Sequence, residues 1–202
     1  GKLEEIADFV IEHDRWVISD EVYEKFNYEG RHLSIGALNG MEERAITLNS
    51  FSKTYGMTGW RVGYVIAWKE LIERISRFSL YTIVCPSSFV QRGAISAFKG
   101  SQDFFHKVLK EYKRRRDIIC KRLEGIDGVS LSEPEGTFYC FPDICGTGLS
   151  SEEFFWLLFK KAKVGCVPGS IFGKAGEGKV RFSFAVSTRK IEKAFERIKR
   201  VL

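Results

Sequence analysis

The sequence predicts an α/β protein: part of a mostly parallel sheet with flanking helices, followed by a smaller α+β unit. Three observations lead there. Two short apolar runs of β type, residues 16–19 and 44–48, each end in a polar cluster, which is how strands buried inside a parallel sheet read. Amphipathic patterns of helical period lie before and after them. A long helical pattern over residues 101–125 then leads into a second stretch in which strand and helix signals alternate.

The chain opens inside an amphipathic segment, with Leu3, Ile6, Phe9 and Val10 on helical spacing. The first apolar run ends at the acidic dipeptide Asp20-Glu21, and the second ends at a turn, Ser50-Phe51-Ser52-Lys53. In open α/β sheets that carboxyl edge is where ligands bind. Residues 59–67 predict a third strand, and residues 69–78 and 88–98 predict helices, the latter beginning just past Pro86. The pattern over 101–125 carries Phe104, Phe105, Val108, Leu109, Tyr112, Ile118, Ile119 and Leu123 on its apolar face and reads as a connector. Beyond it, strands are expected at 129–131, at 138–141, around Cys166 and at 180–185, with helices over 151–163 and from Thr188 onward. The glycine-rich residues 173–178 lack the spacing of a phosphate cradle and read as a loop.

The chemistry concentrates in Asn49-Ser50-Phe51-Ser52-Lys53 and in Arg61, eight residues further on within Thr58-Gly59-Trp60-Arg61-Val62-Gly63-Tyr64. A lysine among hydroxyl residues at a turn after an apolar strand can offer its amine to a carbonyl cofactor, while hydroxyls and a nearby arginine suit a phosphate. Pyridoxal 5'-phosphate combines both groups.

Together with Ser19-Asp20-Glu21-Val22-Tyr23-Glu24 and Val180-Arg181-Phe182-Ser183-Phe184, these motifs resemble the aspartate aminotransferase family, the fold-type I, class I/II transaminases. The resemblance covers essentially the whole chain but only the C-terminal half of such an enzyme. It implies that residues 1–105 are the C-terminal part of the large cofactor-binding domain and residues 106–202 the small C-terminal domain. Since Gly1 is not an initiator methionine and the first helix is already under way, a fragment of a longer chain is expected.

The resemblance also implies roles. Lys53 would carry pyridoxal 5'-phosphate as an aldimine and serve as the general base. Asp20 would pair with the pyridine nitrogen, Tyr23 with the phenolic oxygen, and Ser50 and Arg61 with the phosphate. Arg181 would grip the substrate α-carboxylate. The implied activity is amino transfer between an α-amino acid and a 2-oxo acid, in a homodimer whose segment 82–91 reaches toward the neighbouring subunit's site. Other fold-type I enzymes, such as C–S lyases, share the scaffold, and a catalytically inert dimerising fragment is the remaining alternative.

Composition narrows the classes. With 44% hydrophobic and 29% charged residues, the chain is globular material with ample apolar content for a core. No apolar stretch is long enough for a membrane span. Five cysteines without a CxxC pair predict reduced thiols, a cytoplasmic location and no metal centre. The net charge of +6 could suggest nucleic acid, but the basic run at 113–116 is flanked by Glu111 and Asp117 on a helical pattern, which reads as a solvated face. His13, His32 and His106 match no ligand or triad spacing and are expected in surface or core roles.

Overall fold

A computed structural model describes all 202 residues, which form two compact units, Gly1–Phe105 and His106–Leu202. The first unit begins with α1 (Lys2–Glu12), whose inward face sets Ala7 and Val10 against Ile35, Met41 and Ala45. A three-stranded sheet follows in the order β1 (Val17–Asp20), β2 (Ala45–Ser50) and β3 (Gly63–Ile66). β1 and β2 pair in parallel with Asp20 opposite Leu48, whereas β3 returns antiparallel to β2 with Gly63 opposite Ser50.

Of the two strand pairs in this unit one is parallel and one antiparallel, and the reason for the reversal is local. Between β2 and β3 stand only a four-residue helix, α2 (Phe51–Thr54), and a 3₁₀ turn at Thr58–Trp60, and this compact connection returns the chain antiparallel beside β2. The expected strand over 59–67 therefore starts late, because Arg61, in the left-handed region at φ 53°, breaks the extended run. Gly63 has a steric reason for being glycine: a Cβ there would lie 2.6 Å from the Asn49 carbonyl oxygen. The first run also departs from expectation. β1 is an edge strand, and Trp16 and Ile18 on one of its sides are exposed rather than buried.

Helices α3 (Lys69–Thr82) and α4 (Ser88–Lys99) complete the unit; α4 brings Ala94 onto Phe51 and Met57, around which Tyr55, Val62 and Tyr64 close a second core. Helix α5 (Asp103–Glu124) lies mostly in the second unit.

In that unit a second sheet, antiparallel throughout, has the order β4 (Tyr139–Cys140), β6 (Val180–Ser183), β5 (Val167–Pro168). The strand expected at 129–131 reduces to one bridge between Ser130 and Asp143. Helix α6 (Ser151–Leu157) opens on a capping box, Ser150 with Glu153, and loosens into a π-turn over Leu158–Ala162 that ends at Lys163 in the left-handed region. Helix α7 (Thr188–Ile198) buries Ile191, Phe195 and Ile198. No helix is long and apolar enough to cross a membrane.

Candidate active site

The turn after β2 is built to hold Lys53 at a fixed place. Ser50 ends the strand in extended conformation and caps α2, its Oγ accepting from the Ser52 amide at 3.0 Å and donating to the Val62 carbonyl at 3.3 Å. Phe51 anchors the turn in the core, stacked edge-on against Phe98 with centroids 4.6 Å apart. Thr58 Oγ1 ties the following loop back to the Ser52 carbonyl at 3.2 Å. Lys53 thus sits half-buried on a single helical turn pinned from both sides.

Arg61 stands just before β3, and its left-handed conformation costs roughly 1–2 kcal/mol for a non-glycine residue, strain of the kind that accumulates at functional positions. One Nη donates to the Thr58 carbonyl at 2.9 Å. A guanidinium carries five N–H donors, so most remain for a ligand.

On the neighbouring strand, Asp20 ends β1 at the same carboxyl edge. Its Oδ1 accepts from the Val22 amide at 3.3 Å, while the Glu21 amide continues the ladder to the Leu48 carbonyl at 2.9 Å. Tyr23 lies edge-on to Phe26 at 6.2 Å, and Phe26 is buried against Phe105. Asp20, Ser50, Lys53 and Arg61 therefore stand along one edge of one sheet, with Tyr23 on the turn that leaves β1. Tyr55 and Tyr64 border the Phe51 cluster; burial pushes both phenols above their ordinary pKa, and the Glu24 carboxylate adds to the effect.

Arg181 belongs to the second unit, on the central strand β6. Its guanidinium lies between two rings, 4.5 Å from the centroid of Tyr139 and 4.8 Å from that of Phe172. Such stacking holds the plane of the fork and leaves its edge for a carboxylate. All five cysteines are unpaired thiols, and burial pushes Cys140 and Cys166 up to about 12.

Sequence reasoning missed Glu21, His32 and Ser34. The buried Glu21 carboxylate accepts from Ser19 Oγ at 3.0 Å and Ser34 Oγ at 2.8 Å, and His32 Nε2 lies 2.8 Å from its other oxygen. The available signal was strand alternation, which sets Ser19 and Glu21 on the side of β1 opposite Asp20. The segment 82–91 contains another strained residue, Val84 at φ 61°.

The donor set suits pyridoxal 5'-phosphate: a primary amine for an aldehyde, a carboxylate for a ring nitrogen, and a hydroxyl with a guanidinium for a phosphate. A lysine-bearing turn with a carboxylate and an arginine at the carboxyl edge of an α/β sheet is the donor set that a phosphorylated carbonyl cofactor requires. Comparison with known proteins narrows this. The family model described as aminotransferase class I and II matches residues 1–198, and the chain belongs to that family. It is 48% identical over 203 residues to aromatic-amino-acid aminotransferase 2 of Thermococcus litoralis and 50% identical over 203 residues to the aspartate aminotransferase of Pyrococcus abyssi, in each case over 99% of this chain and 52% of the relative. Among solved structures, the aromatic aminotransferase from Pyrococcus horikoshii superposes with a TM-score of 0.96 at 52% identity, over 99% of this chain and 54% of that one. A Thermus thermophilus aspartate aminotransferase double mutant follows at 0.91 and 34%, over 99% of this chain and 52% of that one. The fold is thus of the aspartate aminotransferase type, and the chain spans about half the length of the curated relatives it matches.

Proposed function

We propose that the protein carrying this chain is a pyridoxal-phosphate-dependent aminotransferase that passes an amino group from an α-amino acid to a 2-oxo acid. The reading rests chiefly on the Ser50–Lys53 turn standing beside Asp20 at the carboxyl edge of two parallel strands. The names of the relatives favour transamination over lyase chemistry and over an inert module.

In this reading residues 1–105 are the C-terminal part of the cofactor-binding domain and residues 106–202 the small domain. The bound cofactor supplies an electron sink for the pair left when the substrate Cα–H bond breaks. Asp20 keeps the proton on the pyridine nitrogen, since an adjacent carboxylate favours the cationic form. The Tyr23 hydroxyl bonds the phenolic oxygen. The Arg61 guanidinium would hold the phosphate as a planar fork that lysine could not reproduce, joined by the Ser50 hydroxyl once its proton turns from the Val62 carbonyl. Lys53 Nζ would hold the cofactor through its aldehyde carbon and, as a free amine, would take the proton from Cα. Arg181 takes the α-carboxylate with two parallel bonds and orients the Cα–H bond. By kinship alone, the reading extends to a cytoplasmic homodimer.

The test is spectroscopic and chemical. Holoenzyme should be yellow, lose its visible band on borohydride reduction with the label on Lys53, and turn over an amino acid only when a 2-oxo acid acceptor is supplied. Release of ammonia without an acceptor would make it a lyase instead.

A further inference from the structure

We propose that Glu21 is a positioning residue for Asp20, forming a clip on the side of β1 opposite the site. The inference rests on the aminotransferase reading, which gives Asp20 its task.

Glu21 is only 6% exposed, and a buried carboxylate is costly unless its oxygens are satisfied. Here they are. Oε1 accepts from Ser19 Oγ at 3.0 Å and from Ser34 Oγ at 2.8 Å, and Oε2 lies 2.8 Å from His32 Nε2. Glu24 brings a second carboxylate near this imidazole, the three ligand-type atoms of Glu21, Glu24 and His32 falling within 4.8 Å of one another.

The placement of these bonds matters more than their number. Ser19 and Glu21 flank Asp20, so the bond between their side chains spans it. Side chains alternate along a strand, so clamping Ser19 and Glu21 on one side turns Asp20 to the other, where it is exposed. The Glu21 amide is meanwhile fixed to the Leu48 carbonyl at 2.9 Å, which registers the strand end against β2 two residues before Ser50. The Asp20 Oδ1 is held by the Val22 amide at 3.3 Å, leaving Oδ2 for a ligand. His32 and Ser34 come from the middle of the connection between β1 and β2, so one carboxylate ties the strand end to that loop.

A carboxylate that must meet a ring nitrogen needs such a support, because a misplacement of about 1 Å can cost about 100-fold in rate. The experiment is a double-mutant cycle in the holoenzyme: Glu21→Ala and Glu21→Gln, each in native and Asp20→Ala backgrounds. The readouts are the thermal midpoint and the single-turnover loss of the visible band, with L-aspartate and L-tyrosine as donors. Glu21→Ala should slow the half-reaction about 10- to 100-fold with little change in the half-saturating substrate concentration. Glu21→Gln should recover most of that rate, since an amide oxygen still accepts both hydroxyls. With Asp20 already removed, Glu21→Ala should change the rate by less than about 2-fold, because residues acting through one another are not additive.

Equal fold-losses in both backgrounds would make Glu21 merely structural and overturn the inference, as would a native rate in Glu21→Ala. An Asp20→Ala enzyme at native rate would instead remove the role of Asp20, and the clip with it, a result distinct from additivity. If Glu21→Ala does not fold, Ser34→Ala, which removes one donor to Oε1, is read in the same cycle.

Discussion

The two units fix their functional side chains by different means. In the second, Phe154, Leu158, Val180 and Phe184 are buried almost completely, and Arg181 on β6 is held between aromatic rings on strands and loops that this core positions. In the first, Trp16, Ile18, Phe78 and Tyr81 remain exposed, and the residues at the sheet edge are held by short hydrogen-bonded turns around Ser50 and Glu21. Aromatic rings flank the Arg181 guanidinium, whereas the residues proposed for the cofactor are held by hydrogen-bonded turns together with the buried Phe51. Substitutions at the sheet edge of the first unit and at Arg181 should therefore be read through chemistry, and substitutions in the buried aromatic core of the second unit through stability.

The largest effect is expected at Lys53. Lys53→Ala should abolish the borohydride-sensitive band and reduce turnover by several orders of magnitude, since acid–base catalysis alone contributes roughly 10²- to 10⁴-fold and the covalent anchor is lost as well. Circular dichroism should be unchanged, because Ser50, Phe51 and Thr58 hold the turn. Near-native transamination would remove Lys53 from the site.

In the second unit the large effect should be on stability. Phe154→Ala empties a site at 1% exposure and should cost about 3–5 kcal/mol, read from amide hydrogen exchange in α6 and β6. Phe78→Ala in the first unit, at 70% exposure, should stay within about 0.5 kcal/mol. A large loss at Phe78 would mean that this face is covered in solution, breaking the contrast between the units.

How legible each unit was in the sequence follows the same division. Helical period marked α1, α4, α5 and α7 because burial imposes a repeating pattern, and it marked α3 although that helix buries no residue here. The motif 49–53 marked the lysine turn because its chemistry needs those residue types in sequence. Strand direction was not legible at β3: whether it returns parallel or antiparallel depends on the short α2 and on the left-handed Arg61, and nothing in an apolar count signals either. The run at 129–131 looked like a strand but pairs only at Ser130, since its neighbours lack a partner strand of matching length. The Glu21 clip was hidden because its partners lie 11 and 13 residues away and come together only when the loop closes.

Arg181→Leu tests whether the aromatic-flanked guanidinium acts on substrate. Each charge-assisted bond contributes about 1.5–3 kcal/mol, so kcat/KM for α-amino acids should fall by about two orders of magnitude, whereas an amine lacking the carboxylate should react at its former slow rate. Phe172→Leu should produce a smaller loss of the same kind, mostly in KM, because it removes one of the two rings that hold the fork. Equal losses for the amino acid and its decarboxylated amine would place the carboxylate grip elsewhere.

The smallest effect expected is electrostatic and lies within the second unit. Glu111 on α5 accepts from Arg114 at 2.9 Å and from Arg115 at 2.8 Å, and these bonds lower its pKa from 4.5 to about 2. Arg114 also donates to Thr188 Oγ1 at 2.5 Å, so the cluster joins α5 to the start of α7. A carboxyl whose pKa is lower in the folded protein than in the unfolded chain stabilises the fold wherever it is ionised in both, above pH 4.5. That stabilisation fades as the pH falls from about 4.5 toward 2, where Glu111 takes up a proton and releases both arginines. Because the Glu111 side chain is 37% exposed, solvent screening should hold the effect below about 1 kcal/mol. Hydrogen exchange of α7 amides should therefore separate the native protein from Glu111→Gln at pH 6 and bring them together near pH 2, with the separation shrinking in high salt. A gap independent of pH would mean that the glutamate acts through packing, as Phe154 does in the core of the same unit.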